Sequence, residues 1–126
     1  MSNLAHARAF LKAFDQQDLD AIAAGVTEDV LYHNIPMDPI NGRADMRAML
    51  AGMVGGAEKV EFIVHSIAES AVGSVLSERT DRFLLGGKWI SVRVMGTFEY
   101  RNGLISVWRD YFDLNEFTRQ MPAPAA

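Results

Sequence analysis

The chain has 126 residues, 49% apolar and 22% charged, with a formal net charge of −4. That length suits one domain with a real core, and the apolar share lets it fold rather than stay disordered. The acidic balance and the lack of a basic stripe exclude a general nucleic-acid binder. The absence of cysteine excludes disulfides, thiolate zinc sites and a cysteine nucleophile.

The N-terminus, MSNLAHARAF, has no long apolar run, so no signal peptide or membrane anchor is expected, and residues 1–126 read as one soluble, cytoplasmic domain. Ser2 or Asn3 caps a first helix whose Leu4, Ala7, Phe10, Leu11 and Phe14 share a face. Asp18 caps a short second helix that ends at Gly25. DVLYHNIP reads as a short strand stopped by Pro36, and MDPING as turn. A third helix is expected over about Ala44 to Val54, with Met46, Met49, Leu50 and Met53 at helical spacing and Gly55-Gly56 at its end.

From residue 59 the period changes to two. KVEFIVHSIAES, VGSVLSERTDRFLL, KWISVRVMGTFEYRN and LISVWRDYFDL are long strands, with Gly86-Gly87 and Asn102-Gly103 turning between the last three. The expected class is α+β: a strongly curved mixed or antiparallel sheet, with N-terminal helices on its concave face enclosing a cone-shaped pocket. Residues from about 120 to 126 read as a flexible tail.

The strand VLSERTDRFLL carries an unusual density of charge from Glu78 to Arg82. Alternation puts Glu78, Thr80, Arg82 and Leu84 on one face, and Arg79, Asp81, Phe83 and Leu85 on the other. If the first face meets water, the second takes an arginine and an aspartate into the interior. Likewise Val92 and Val94 share a face of the next strand, and Trp108, Asp110 and Phe112 share one on the last. Tyr32 and Asn34 share a face of the early strand, with His33 opposite.

The inward set is therefore Tyr32, Asn34, Arg79, Asp81 and Asp110 among Phe83, Val92, Val94 and Phe112. Met49 and Trp108 complete the candidate substrate-binding residues. Two carboxylates bridged by an arginine can split their titrations, one serving as base and the other as acid. Tyr32 and Asn34 offer a hydroxyl and an amide to orient a water. His6, His33 and His65 are scattered without metal-binding spacing, so no metal is expected. Each residue also has a plainer reading: Arg79 and Asp81 as an exposed pair, Asp110 as a strand-end cap, Tyr32 as a half-buried aromatic, Asn34 as turn chemistry. Their joint occurrence on inward faces favours the site.

YHN, ERTD and WRDYFDL, in this order between about Leu31 and Phe117, resemble the motifs of the limonene-1,2-epoxide hydrolase family. The resemblance implies the NTF2-like (SnoaL-like) cone fold of nuclear transport factor 2 and ketosteroid isomerase, a homodimer, and no cofactor. It implies Asp110 as the base that deprotonates a water held by Tyr32 and Asn34. Asp81 would be the acid that protonates the epoxide oxygen, and Arg79 the group that orients both. The substrate would be a small apolar or cyclic, terpene-like epoxide, and the product a vicinal diol formed without a covalent intermediate. Other readings of the same cone are a polyketide cyclase, an isomerase, a dehydratase or a non-catalytic ligand-binding module. The chain is shorter than expected for the family. Met37, Met46, Met49, Met53 and Met95 are candidates for an adaptable wall. Trp89 and Tyr111 read as exposed aromatics at a subunit contact.

Overall fold

A computed structural model describes residues 1–121. Ser2 accepts a hydrogen bond from the Ala5 amide and starts α1 (Asn3–Asp15), which buries Ala7, Phe10, Leu11, Ala13 and Phe14. Asp18 caps α2 (Leu19–Ala24) through the Ala21 amide. β1 (Val26–Asn34) begins earlier than DVLYHN suggests, because Val26 already pairs with Ile105. Part of MDPING, expected only as turn, forms the two-residue strand β2 (Ile40–Asn41) against β1. The expected third helix divides into α3 (Arg43–Leu50) and a π-helical turn, Ala51–Gly55, where Gly52 and Gly55 weaken regular winding.

β3 (Lys59–Glu69), β4 (Val75–Leu85), β5 (Lys88–Arg101) and β6 (Leu104–Tyr111) form the expected antiparallel meander. Its tight turns use left-handed backbone, with φ of 56° and 76° at Gly86 and Gly87 and of 53° and 80° at Asn102 and Gly103. The sheet order is β2-β1-β6-β5-β4-β3, and β1 pairs with β6 in parallel, so the sheet is mixed. Register shifts after Val64 and Glu99 add local bends.

α1 covers the inner face of this sheet. Phe10 meets Phe98 and Trp108 edge-on, each at 5.4 Å between centroids, and Phe14 meets Trp108 at 5.6 Å. Towards α3 the two layers separate and leave a cavity.

The last strand stops at Tyr111, short of the expected Leu114, because Asp113 caps a helix not expected from sequence, α4 (Leu114–Thr118). β6 meets β5 only from Met95 onward, so the Lys88 end of β5 has a free edge. The α4 segment covers it with side chains. The Ser91 amide donates to Gln120 Oε1 at 2.9 Å, Gln120 Nε2 donates to the Ser91 carbonyl at 2.7 Å, and the Arg93 amide donates to Glu116 Oε2 at 3.1 Å. Gln120 is thus held where a flexible tail was expected to begin, and Met121 packs against the Ile90, Val92 and Val94 cluster. The rest of that tail, 122–126, lies outside the described residues. Among the described residues, no helix is long and apolar enough to cross a membrane.

Candidate active site

β4 alternates as its sequence reads: Ser77, Arg79, Asp81 and Phe83 are buried, Glu78 is exposed, and Thr80 and Arg82 are half-buried on the other face. Cross-strand pairing sets Asp81 beside Val92 and Arg79 beside Val94, while Asp110 of β6 lies beside Gly96 of β5. The Arg79 guanidinium spans the distance. Its Nε and Nη2 donate to Asp81 Oδ1 and Oδ2 at 3.0 and 2.9 Å, and Nη2 also donates to Asp110 Oδ2 at 3.0 Å. Nη1 donates to Ser77 Oγ at 3.1 Å, and the Phe62 ring lies 5.5 Å from the guanidinium carbon.

Tyr32 and Asn34 arrive on β1. Its parallel register sets Tyr32 opposite Trp108 and Asn34 opposite Asp110. Asn34 Nδ2 donates to Tyr32 Oη at 3.0 Å, and the Tyr32 ring stacks on Trp108 with centroids 4.1 Å apart. YHN and WRDYF are therefore brought together by strand pairing, far apart as they are in the chain.

The three ionisable groups are almost fully enclosed, at 1% exposure for Arg79, 6% for Asp81 and 4% for Asp110. Burial raises the Asp81 carboxyl above the usual carboxylate range. The Arg79 pairing opposes this rise and the Asp110 charge adds to it. Burial works against the Arg79 charge, but Asp110 and Asp81 more than offset it, so the guanidinium stays protonated. Burial, and then the Asp110 charge, push the Tyr32 phenol up, so it keeps its proton. One proton on the carboxylate pair leaves the cluster with no net charge, the form easiest to bury. Among the described residues nothing donates to Asp110 Oδ1.

The sequence profile of the limonene-1,2-epoxide hydrolase catalytic domain matches residues 1–123. The chain belongs to this family. Epoxide hydrolase EphG of Mycobacterium tuberculosis is 35% identical over 106 residues, covering 84% of this chain and 70% of that protein. The solved structure of an LEH-like epoxide hydrolase from M. tuberculosis superposes with a TM-score of 0.82 at 31% identity, covering 94% of this chain and 87% of the other. Bal32a, from a soil-derived mobile gene cassette, superposes with a TM-score of 0.83 at 21% identity over 95% of this chain and 96% of the other, a likeness of fold.

In this member of the family, the cluster opens on an apolar cavity that reaches solvent. Tyr32, Asn34, Asp81 and Asp110 line it, together with Phe83, Val92, Val94, Phe112, Met49 and Trp108. Arg79 sits behind the carboxylates and not on the wall. Met37 and Met53 are on the wall too, whereas Met46 is in the core and Met95 is half exposed on the outer face. Trp89 is not the exposed aromatic expected, since Arg82 stacks on it at 4.2 Å from the ring centroid. Tyr111 is 50% exposed.

Sequence reasoning missed several contributors. Phe14, Leu50, Val54 and Phe62 line the cavity, as does Phe117 of α4. Helical spacing marks Phe14 and Leu50 as lying on an apolar face, but not which layer gap that face meets. Asp113 followed three residues later by Glu116 was a legible capping signal for α4. Ser77 and Gly96 support Arg79 and Asp110, and a glycine inside a long strand is itself a sign of close approach.

Proposed function

We propose that the protein hydrolyses a small apolar epoxide to a vicinal diol by one-step, acid- and base-assisted attack of water. The observation that carries this reading is one buried arginine holding two carboxylates at the wall of an apolar cavity. Asp110 takes a proton from a water oriented by Tyr32 and Asn34, and the water oxygen attacks a ring carbon. The carbon–oxygen bond breaks as Asp81 passes its proton to the departing oxygen. Arg79 stays charged and keeps both carboxyls in place. Return of a proton from Asp110 to Asp81 closes the cycle with no change in net charge.

Ring strain supplies much of the driving force, and the two proton transfers avoid free hydroxide and free alkoxide. Each positioned transfer contributes about 10²–10⁴-fold. Lys, Arg and His are absent from the described residues lining the cavity, so nothing there compensates an anionic substrate, and a neutral, terpene-like epoxide suits it best. The homodimer, the cytoplasmic location, the absence of a cofactor and a single domain over 1–126 belong to the same reading. A second copy would cover the outer sheet face, where Leu76, Met95 and Tyr111 are exposed.

The test is single-turnover hydrolysis of cyclohexene oxide or limonene oxide in ¹⁸O-labelled water with enzyme in excess. Direct attack puts label in the diol at the first turnover, whereas a carboxylate ester would deliver unlabelled oxygen. No diol from a broad panel of epoxides would overturn the assignment.

A further inference from the structure

β5 runs for 14 residues and carries Gly96 in its interior. A glycine there weakens a strand, because it packs nothing and loses more chain entropy on folding. Gly86, Gly87 and Gly103 have left-handed φ values that account for them, but Gly96 has none. Its explanation is space. A Cβ at this position would lie 2.3 Å from Asp110 Oδ1 and 2.6 Å from Arg79 Nη1, while the nearest backbone neighbour, the Arg109 carbonyl, is at an ordinary 3.5 Å.

The row across the sheet explains the crowding. Ser77, Gly96 and Asp110 are register partners on β4, β5 and β6. Arg79 belongs to the next row, beside Val94, but its Nη1 reaches back to Ser77 Oγ and so lies over the small residues. Two small residues in succession make the floor on which the guanidinium rests. Asp110 Oδ1 settles against the bare Cα side of Gly96, which leaves Oδ2 aimed at Arg79 Nη2.

We propose that Gly96 is a positioning residue of the epoxide-opening site: its missing side chain is the seat that sets the Asp110 carboxylate and the Arg79 guanidinium in register with Asp81. This rests on the hydrolase reading above. Both crowded atoms end rotatable side chains, so an alanine displaces the reacting groups and not the backbone. To reach ordinary contact Asp110 Oδ1 must retreat by about 1 Å, and a misplacement of that size typically lowers rate about 100-fold.

The experiment is Gly96→Ala in the full chain. Expected is a fall in kcat on cyclohexene oxide of about 100-fold, with KM within about threefold, because the apolar wall is untouched. The alkaline limb of the pH–rate profile also moves to higher pH, since Asp81 loses part of the Arg79 pairing that opposes its burial. A purely structural defect would leave that limb in place. A kcat within about threefold of the parent, or an unmoved limb, overturns the proposal. A stability cycle reads the same contact without turnover. Gly96→Ala should lower Tm by more in the parent than in Asp110→Ala, where the closer of the two crowded atoms is gone and only the Arg79 contact remains. Equal losses in both backgrounds overturn the seat. Failure of the parent to open any epoxide overturns the hydrolase reading and leaves the cycle to decide the seat.

Discussion

Arginine meets carboxylate on both faces of this sheet, with opposite consequences. On the inner face Arg79 holds Asp81 and Asp110, and their side chains are 0%, 8% and 6% exposed. On the outer face Arg109 pairs with Glu99 at 32% and 46% exposure. Arg109 and Asp110 are neighbours in the chain, so a single step along β6 separates the two regimes. Exposed pairs are worth about 0–1 kcal/mol, because water screens them and ordering two long side chains offsets the gain. The inner charges have lost their hydration and persist only through one another. That loss raises the Asp81 carboxyl above the usual carboxylate range.

The sharpest test removes charge while keeping shape. Asp110→Asn and Asp81→Asn should each lower kcat/KM by about 10²–10⁴-fold, with circular dichroism and Tm showing an intact fold. Substantial activity in either variant would remove that residue from the chemistry. The parent enzyme's pH profile separates the two roles. Asp81 must be protonated to act as acid, so activity declines as pH rises through its raised pKa. The alkaline limb therefore lies above the ordinary carboxylate range. Activity that kept rising to alkaline pH would show that Asp81 is not the acid.

Stability gives the next largest contrast. Arg79→Met leaves two buried carboxyls facing each other and should lower unfolding free energy by about 3–5 kcal/mol in urea titrations. Arg79→Met with Asp81→Leu and Asp110→Leu should recover most of that loss and have no activity, because an apolar replacement of a buried ion cluster is often neutral or stabilising. If the triple variant is no better than the single one, the interior tolerates the charges more easily than their burial suggests.

The inner cluster was legible because strand alternation is a strict period of two. Once VLSERTDRFLL was a strand, Arg79 and Asp81 had to share a face with Phe83, and WRDYF treated Asp110 the same way. The partnership of β1 with β6 was not legible from the residues alone, since strand pairing is non-local and the parallel choice leaves no mark in YHN. The family resemblance supplied the association that periodicity could not. α4 escaped notice because its five residues are too few to display a helical period, and the apolar Phe112 and Leu114 continued the strand pattern. The change of winding at Ala51 escaped for a related reason: Met53 follows Met49 and Leu50 at ordinary helical spacing in the sequence, so a single π-helical turn leaves no mark there.

The smallest effect completes the comparison. Arg109→Ala removes the outer partner of Glu99 and should lower stability by less than about 1 kcal/mol, with kcat unchanged. The little that is lost should fade in about 1 M salt, where the screening length falls to about 3 Å. The inner cluster, almost fully buried, should keep its dependence on Arg79 at the same salt. A loss above about 2 kcal/mol for Arg109→Ala would mean that the pair is not solvated in solution and that another surface covers it, since a desolvated ion pair is strongly destabilised when one partner is removed. Repeating the titration over a range of protein concentrations decides whether that surface is a second copy of this chain, because only then does the loss shrink on dilution, as the copies separate and water returns to the pair.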